Sequence, residues 1–170
     1  MSGSTHKTIQ GFHANYTDIC EQFMTDKTFL ITSEDTDYLG DGMYFWEHKS
    51  NAEYWKKTKK KDSTSSIVSA EIDLENMLDL TDDDVCEKVE KIFDNIAKKL
   101  FNFETKEFGK KMNCLFETKD FKYTVIRGRE HKDNKKENSF LTGTNMTTQS
   151  IDIYCVRELD AIISRKWVQS

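Results

Sequence analysis

The sequence lacks the features that mark membrane-spanning and exported chains. No apolar run approaches the length that spans a bilayer, and the N-terminal residues MSGSTHKTIQ contain no hydrophobic signal region. These absences argue against the membrane and secretory classes, so we expect a cytoplasmic protein with no membrane partner. The 170-residue chain also contains no proline.

Cysteine and histidine are few, and their spacing matches neither a disulfide framework nor a metal site. The residues concerned are Cys20, Cys86, Cys114 and Cys155, together with His6, His13, His48 and His131. No two cysteines form a Cys-x-x-Cys pair, and the histidines lack the spacing of metal ligands. We therefore expect reduced, half-buried thiols and no bound metal.

Charge and composition indicate a folded domain. The formal net charge is −5, which does not favour a broad attraction to nucleic acid. Apolar residues make up 36% of the chain and aromatic residues 12%, which is too aromatic for a disordered segment. A chain of 170 residues can bury one substantial core. We expect a flexible N-terminus over residues 1–8 and one domain over residues 9–170.

Hydrophobic periodicity predicts a mixed α+β domain with an antiparallel-rich sheet. Strands are predicted at residues 8–13, 28–32, 43–46, 66–74 (continuing after a bend through 76–80), 121–127, 150–157 and 161–168, and helices at 16–24, from 50 onward, at 82–101 and at 106–116. Thr81 is the expected N-cap of the clearest helix. Its apolar face is predicted to carry Val85, Val89, Ile92, Phe93, Ile96 and Leu100.

The segment DYLGDGMYFWE, residues 37–47, places two glycines directly before an aromatic run. Gly40 and Gly42 allow backbone conformations closed to other residues, or a close approach by another group. Residues 43–46 are aromatic and β-prone, so the segment predicts a tight turn that leads into a short strand. An aromatic wall of this kind suits a hairpin, and it also suits a flat ligand that stacks.

Several segments, taken in order, resemble the ADP-ribosyltransferase superfamily. They are GFHAN around His13, GDGMYFWE around Tyr44, SNAEYW after it, and the late strand SIDIYCVR. The order of histidine, glycine-linked tyrosine and late polar residue is similar to the His-Tyr-Glu branch of diphtheria-toxin-type enzymes and poly(ADP-ribose) polymerases. SAEIDLENMLDLTD, YTVIRG and CVR further resemble small bacterial members of that branch. The resemblance spans residues 9–165.

This resemblance implies a split sheet with flanking helices and an enzyme that uses NAD as its substrate. Such enzymes break the bond between nicotinamide and ribose through a transition state with oxocarbenium character. His13 would then hydrogen-bond the adenosine ribose, and Tyr44 would stack on the nicotinamide ring. A carboxylate or amide on the late strand would stabilise the developing cation, as carboxylates do in glycosidases.

The late strand departs from the family pattern, and this affects the third catalytic residue. The ungapped position is Ile153, whereas Asp152 lies one residue away and Gln149 three residues further back. A bulge would turn Asp152 to the pocket face, so Asp152 is the predicted third catalytic residue and Gln149 the alternative. Ala14 follows His13 where the family usually has glycine. The predicted NAD-binding residues are His13, Ala14, Gly42, Tyr44 and Gln149.

The expected activity is mono-ADP-ribosylation of an intracellular protein or nucleic acid by a bacterial or phage toxin or defence effector. An antitoxin or inhibitor protein is a candidate partner. Two alternatives stay open: an NAD glycohydrolase that uses water as its acceptor, and a catalytically silent module that binds NAD or ADP-ribose.

Two polar segments each allow two interpretations. The lysine run at residues 56–61 suits either a phosphate-binding surface or a solvated helix end. The polar loop at residues 128–147 either recognises a target or is mobile.

Overall fold

A seven-stranded sheet organises the chain in a computed structural model, which describes residues 7–59, 64–97, 99, 105–131 and 150–169. The strands are β1 (Thr8–Tyr16), β2 (Met43–Trp46), β3 (Ser65–Asp73), β4 (Met77–Asp79), β5 (Val125–His131), β6 (Ser150–Val156) and β7 (Ile162–Trp167). The helices are α1 (Thr17–Thr25), α2 (Lys49–Lys59), α3 (Asp83–Ile92) and α4 (Phe108–Phe116). A π-helical turn, Phe93–Ala97, follows α3, and a 3₁₀ turn, Leu159–Ala161, precedes β7.

The strand order is β4-β5-β6-β2-β1-β3-β7, and the sheet is mixed. β4 pairs with β5 in parallel, because the connection between them crosses over through α3 and α4, whereas the other neighbours are antiparallel. The expectation of an antiparallel-rich sheet therefore needs this correction. Only residues 74–76 link β3 to β4, which lie towards opposite ends of the strand order. Such a short link requires the sheet to curl back on itself.

The sheet has a seam between β1 and β2. β1 pairs with β3 along its whole length, from Thr8 opposite Asp73 to Tyr16 opposite Ser65. By contrast, β1 and β2 face each other at one pair of residues, Phe12 and Trp46. The two halves of the sheet are continuous, but few backbone hydrogen bonds join them at the seam.

Alternation of side chains gives each face of the sheet its own core. The α1 face carries a cluster of Cys20, Phe23, Ile31, Met43, Phe45, Val68, Ala70, Ile72, Leu74, Val125, Tyr154, Val156 and Ala161. The opposite face, called the α2–α4 face, carries Ala14, Leu39, Trp46, Ala52, Ile67, Leu78, Val89, Phe93, Met112, Cys114, Leu115, Phe121, Ile126, Ile153 and Cys155. Helices therefore cover the sheet on both sides.

Most predicted elements are present, with several boundary errors. The predicted strand at 28–32 is wrong: the nearest pairing is an isolated bridge between Ser33 and Gly42. Ile31 in that segment packs into the core of the α1 face without a strand partner. β5 begins at Val125 rather than at residue 121 and continues to His131. The first strand begins at Thr8, so residue 8 belongs to the sheet, and residues 1–6 lie outside the described residues.

The predicted long helix differs at its start and along its length. Its N-cap is Asp82, whose carboxylate accepts hydrogen bonds from the backbone N–H groups of Asp84 and Val85. Thr81 instead donates its hydroxyl to Asp79 at 2.6 Å. The α-helical part ends at Ile92, and the side chains predicted at 96 and 100 lie outside the described residues.

The packing of this helix predicts unequal losses at two neighbouring positions. Phe93 is 5% exposed, whereas Ile92, which we expected in the core, is 36% exposed. Phe93→Ala should lower the free energy of unfolding by about 3–5 kcal/mol, because a buried aromatic side chain leaves a cavity. Ile92→Ala, the matched control, should cost about 1 kcal/mol or less. Urea unfolding of both variants checks this, and equal losses would contradict the burial pattern.

Candidate functional site

His13 lies at the seam between β1 and β2. Its side chain is 5% exposed, and its ring centroid is 5.8 Å from that of Phe45 on the α1 face. Its Nδ1 donates to the backbone carbonyl oxygen of Tyr44 at 2.7 Å. The ring therefore bridges β1 and β2 close to the pair formed by Phe12 and Trp46.

Polar and aromatic side chains continue from His13 across the α1 face. Phe45 pairs with Tyr154, Tyr154 with Arg127, and Arg127 with Asp79, so one row crosses β2, β6, β5 and β4. The Arg127 guanidinium lies 5.9 Å from the centroid of the Tyr154 ring. This row leads from an aromatic part beside His13 to a charged part at the sheet edge.

Asp152 belongs to that charged part and is held by two arginines. Its Oδ2 accepts from Arg127 Nη2 at 2.5 Å, and its Oδ1 accepts from Arg129 Nε at 2.6 Å. Arg127 Nη1 also donates to Asp79 Oδ2 at 3.0 Å. Burial alone would raise the pKa of Asp152, but the hydrogen bonds from Arg129 and Arg127 outweigh it and hold the pKa below its ordinary value. Asp152 is thus ionised at neutral pH, with its charge balanced.

The side chain of Tyr44 points to the opposite, α2–α4 face. Tyr44 pairs with Cys155 across β2 and β6 and packs against the core of that face. Its hydroxyl donates to the carbonyl oxygen of Gly40 at 2.5 Å and accepts from the N–H of Leu39 at 3.1 Å. Burial raises the pKa of Tyr44, so the hydroxyl stays protonated. Tyr44 therefore fixes the turn that precedes its own strand.

Asn113 on α4 holds the same turn from the other side. Its Oδ1 accepts from the N–H of Asp41 at 2.8 Å and from Arg157 Nη1 at 3.0 Å. Its Nδ2 donates to Asp41 Oδ1 at 2.9 Å. One amide side chain therefore joins α4, the turn and the end of β6.

Close packing explains both glycines of the turn. Gly40 has φ of 87°, and a Cβ on it would lie 2.5 Å from Asn113 Oδ1. Gly42 has φ of 156°, and its Cβ would lie 2.5 Å from the Sγ of Cys155. Both positions therefore require glycine for reasons internal to the protein. The glycines before the aromatic run favour a wall for a stacking ligand over a plain hairpin turn, and the structure instead gives them a packing role.

The structure brings together some of the predicted site residues and separates others. His13 and Asp152 share the α1 face, two strands apart, whereas the side chains of Ala14 and Tyr44 belong to the α2–α4 face. The predicted bulge is wrong, since β6 pairs with β5 without interruption from Ser150 to Val156. Ordinary strand alternation turns Asp152 to the α1 face. Gln149 lies outside the described residues.

No protein-family model matches the chain, and no curated protein or solved structure matches it either.

Two cavities lie away from His13. One, of about 290 Å³, borders β1, β3 and β7, and the other, of about 460 Å³, lies between α3 and α4. The described residues that line them do not include His13, Tyr44 or Asp152.

Within the described ranges, no group of three or more histidine, cysteine or acidic side chains could hold a metal ion. No helix in the described part of the chain is both long and apolar enough to cross a bilayer.

Sequence reasoning missed the arginines that bind Asp152. Arg127 and Arg129 alternate with smaller residues along β5, so both point to the α1 face. The predicted strand ends at residue 127, so the prediction does not include Arg129 or its alternation with Arg127. Two like charges at positions i and i+2 of one strand, with an aspartate on the next strand, are the signal that could have revealed the network.

The contacts of Tyr44 predict a structural role for its hydroxyl. Tyr44→Phe should lower the free energy of unfolding by about 1–3 kcal/mol, because the N–H of Leu39 and the carbonyl of Gly40 lose a partner. Tyr38→Phe is the matched control, since Tyr38 is 52% exposed, and it should cost about 0.5 kcal/mol or less. Urea unfolding measures both. A Tyr44→Phe protein as stable as the parent would remove the hydroxyl from this role.

The arginine contacts predict how Asp152 contributes to stability as the pH changes. Its pKa in the folded protein lies below the ordinary value of 3.8. The ionised carboxyl therefore stabilises the fold fully above that value, and the contribution is lost as the pH falls through the lower, folded-state pKa. Asp152→Asn should be less stable than the parent at pH 7, and the two should converge below pH 3.8. Chemical unfolding at several pH values tests this; a constant difference would contradict it.

Proposed function

We propose that the chain is a mono-ADP-ribosyltransferase that cleaves NAD between nicotinamide and ribose and transfers ADP-ribose to an intracellular protein or nucleic acid. The observation that supports this proposal is the position of His13, which is buried at the seam with its ring held between two strands. The same face carries Asp152 on β6, the late strand on which the family resemblance requires a polar residue. One facing pair, Phe12 and Trp46, joins the two halves of the sheet at this point, and this supports the proposal.

The proposed division of roles follows from these positions. His13 binds a ribose hydroxyl of NAD and orients the dinucleotide along the seam. The negative charge of the Asp152 carboxylate stabilises the ribose as the ribose gains oxocarbenium character. This lowers the barrier only if the carboxylate is better placed for the transition state than for bound NAD. The fixed side chains around both residues would keep this geometry without reorganisation.

Tyr44 has a supporting role in this proposal. Its ring lies on the face opposite His13, and its hydroxyl is engaged by the glycine turn. Stacking on nicotinamide, which the resemblance implies for Tyr44, would need the ring to leave the core of the α2–α4 face. We therefore assign Tyr44 to the support of β2 and of the carbonyl group that orients His13.

A catalytically silent module that binds NAD or ADP-ribose is the second candidate function. The observation that favours it is the pair of guanidinium groups on Asp152. Positive charge beside a carboxylate weakens its attraction for a developing cation. A protein with this arrangement could keep the dinucleotide site and lack turnover.

Nicotinamide release separates the candidates. The folded protein is incubated with NAD labelled on its adenylate part, first alone and then with cell lysate. Label on a lysate macromolecule supports transfer, and protease and nuclease controls tell protein from nucleic acid. Nicotinamide release without labelling supports a glycohydrolase instead. NAD binding by calorimetry without nicotinamide release supports the silent module, and no binding at all would overturn both candidates.

The proposal predicts a specific loss for His13. His13→Ala should reduce nicotinamide release about tenfold or more, because one hydrogen bond to the substrate and the orientation of β2 are lost together. His48→Ala is the matched control, since His48 is exposed in the bend between β2 and α2. Circular dichroism first checks that both variants are folded. Equal rates for His13→Ala and the parent would remove His13 from the site.

A further inference from the structure

His13 is the middle member of a chain of hydrogen bonds that begins and ends on the backbone. The N–H of Tyr16 donates to Asn15 Oδ1 at 2.9 Å. Asn15 Nδ2 lies 3.3 Å from His13 Nε2, and His13 Nδ1 lies 2.7 Å from the carbonyl oxygen of Tyr44. Asn15 and His13 are two residues apart on β1, so their side chains share the α1 face.

The two backbone ends fix the direction of every bond in this chain. A carbonyl oxygen only accepts, so Nδ1 of His13 must carry the hydrogen. A backbone N–H only donates, so the atom of Asn15 beside Tyr16 must be the amide oxygen. The amide nitrogen of Asn15 therefore faces Nε2 of His13 and donates to it. In the neutral ring, Nε2 is an acceptor.

The geometry points to Asn15 as a positioning residue that keeps Nε2 of His13 in the acceptor state. Without Asn15, the bond to Tyr44 still selects the tautomer, but the hydrogen bond that the Asn15 amide donates to Nε2 is lost. If Nε2 carried a proton, that proton would face the N–H₂ group of Asn15. The Asn15 amide could accept the proton only by rotating, and the rotation would break the hydrogen bond from the N–H of Tyr16. Asn15 thus opposes protonation of His13 from the ligand side.

This role has a consequence for recognition, which rests on the proposed function. An acceptor nitrogen binds a group that donates, so a hydroxyl of a sugar fits Nε2, whereas a carbonyl or a phosphate oxygen does not. Because Nε2 has a single lone pair, Asn15 would give up its bond to the ring nitrogen when that hydroxyl binds. An acceptor Nε2 agrees with the ribose hydroxyl that the resemblance implies for His13, and the new element is the positioning role of Asn15.

Nitrogen NMR of the unmodified protein gives the first test. The full chain is labelled with ¹⁵N-histidine, and the His13 resonances are assigned by their absence in His13→Gln. We expect a protonated Nδ1 and an unprotonated Nε2 at neutral pH. A ring with its proton on Nε2 alone would overturn the inference without any further variant.

The variant Asn15→Asp gives the second test. The new carboxylate can still accept from the N–H of Tyr16, but it faces Nε2 with an acceptor and draws a proton onto it. The Nε2 resonance should move to the protonated range while Nδ1 stays protonated. Asn95→Asp is the matched control, since Asn95 is exposed in the π-helical turn and gains the same charge. It should leave the His13 resonances unchanged.

The outcomes separate this inference from the proposed function. An unprotonated Nε2 in Asn15→Asp would show that Asn15 does not act on the ring and would overturn the inference. The expected NMR shift in a protein that neither binds nor cleaves NAD would uphold the positioning role and reject the proposed function. If NAD is cleaved, Asn15→Asp should lower turnover, and Asn15→Gln should restore part of it only if its amide reaches Nε2.

Discussion

The hydrogen bond from His13 to the carbonyl of Tyr44 is the contact on which the arrangement of this molecule depends. It crosses the seam between β1 and β2, where Phe12 and Trp46 are the one facing pair of the two strands. Because the backbone supplies so little connection there, a side chain supplies part of it. The same ring then presents its second nitrogen towards Asn15. One residue therefore serves both the continuity of the sheet and the candidate site.

The glycine-rich turn supports this contact from the opposite face of β2. Gly40 and Gly42 let the chain pass close to Asn113 and Cys155, and the Tyr44 hydroxyl and the Asn113 amide then hold the turn in place. A motif that resembles a ligand wall is thus explained by packing around the start of β2. The two roles are compatible, since a fixed turn positions the Tyr44 carbonyl that orients His13. They act on opposite faces of one short strand.

The charged part of the α1 face sets a limit on the chemistry. Asp152 is ionised and lies on the face of His13, as the proposed function requires, but Arg127 and Arg129 would reduce the field that it exerts on a bound ribose. The choice between a transferase and a silent binding module thus depends on how close a ribose comes to Asp152 relative to the two guanidinium groups. For the two proposed functions, the balance of these charges matters more than the identity of any one residue.

The sequence by itself determined the elements with strong local signals. The aromatic strand after the glycines, the helix that begins near the aspartates at 82–84 and the paired late strands all follow from patterns of neighbouring residues. It could not show that the apolar run at 28–32 lacks a strand partner, or that Ile92 is exposed while Phe93 is buried. The tertiary structure alone decided the parallel pairing of β4, the opposite faces of His13 and Tyr44, and the arginines on Asp152. These features join residues far apart in the chain, and their register is fixed by pairing and packing between strands, which no local pattern encodes.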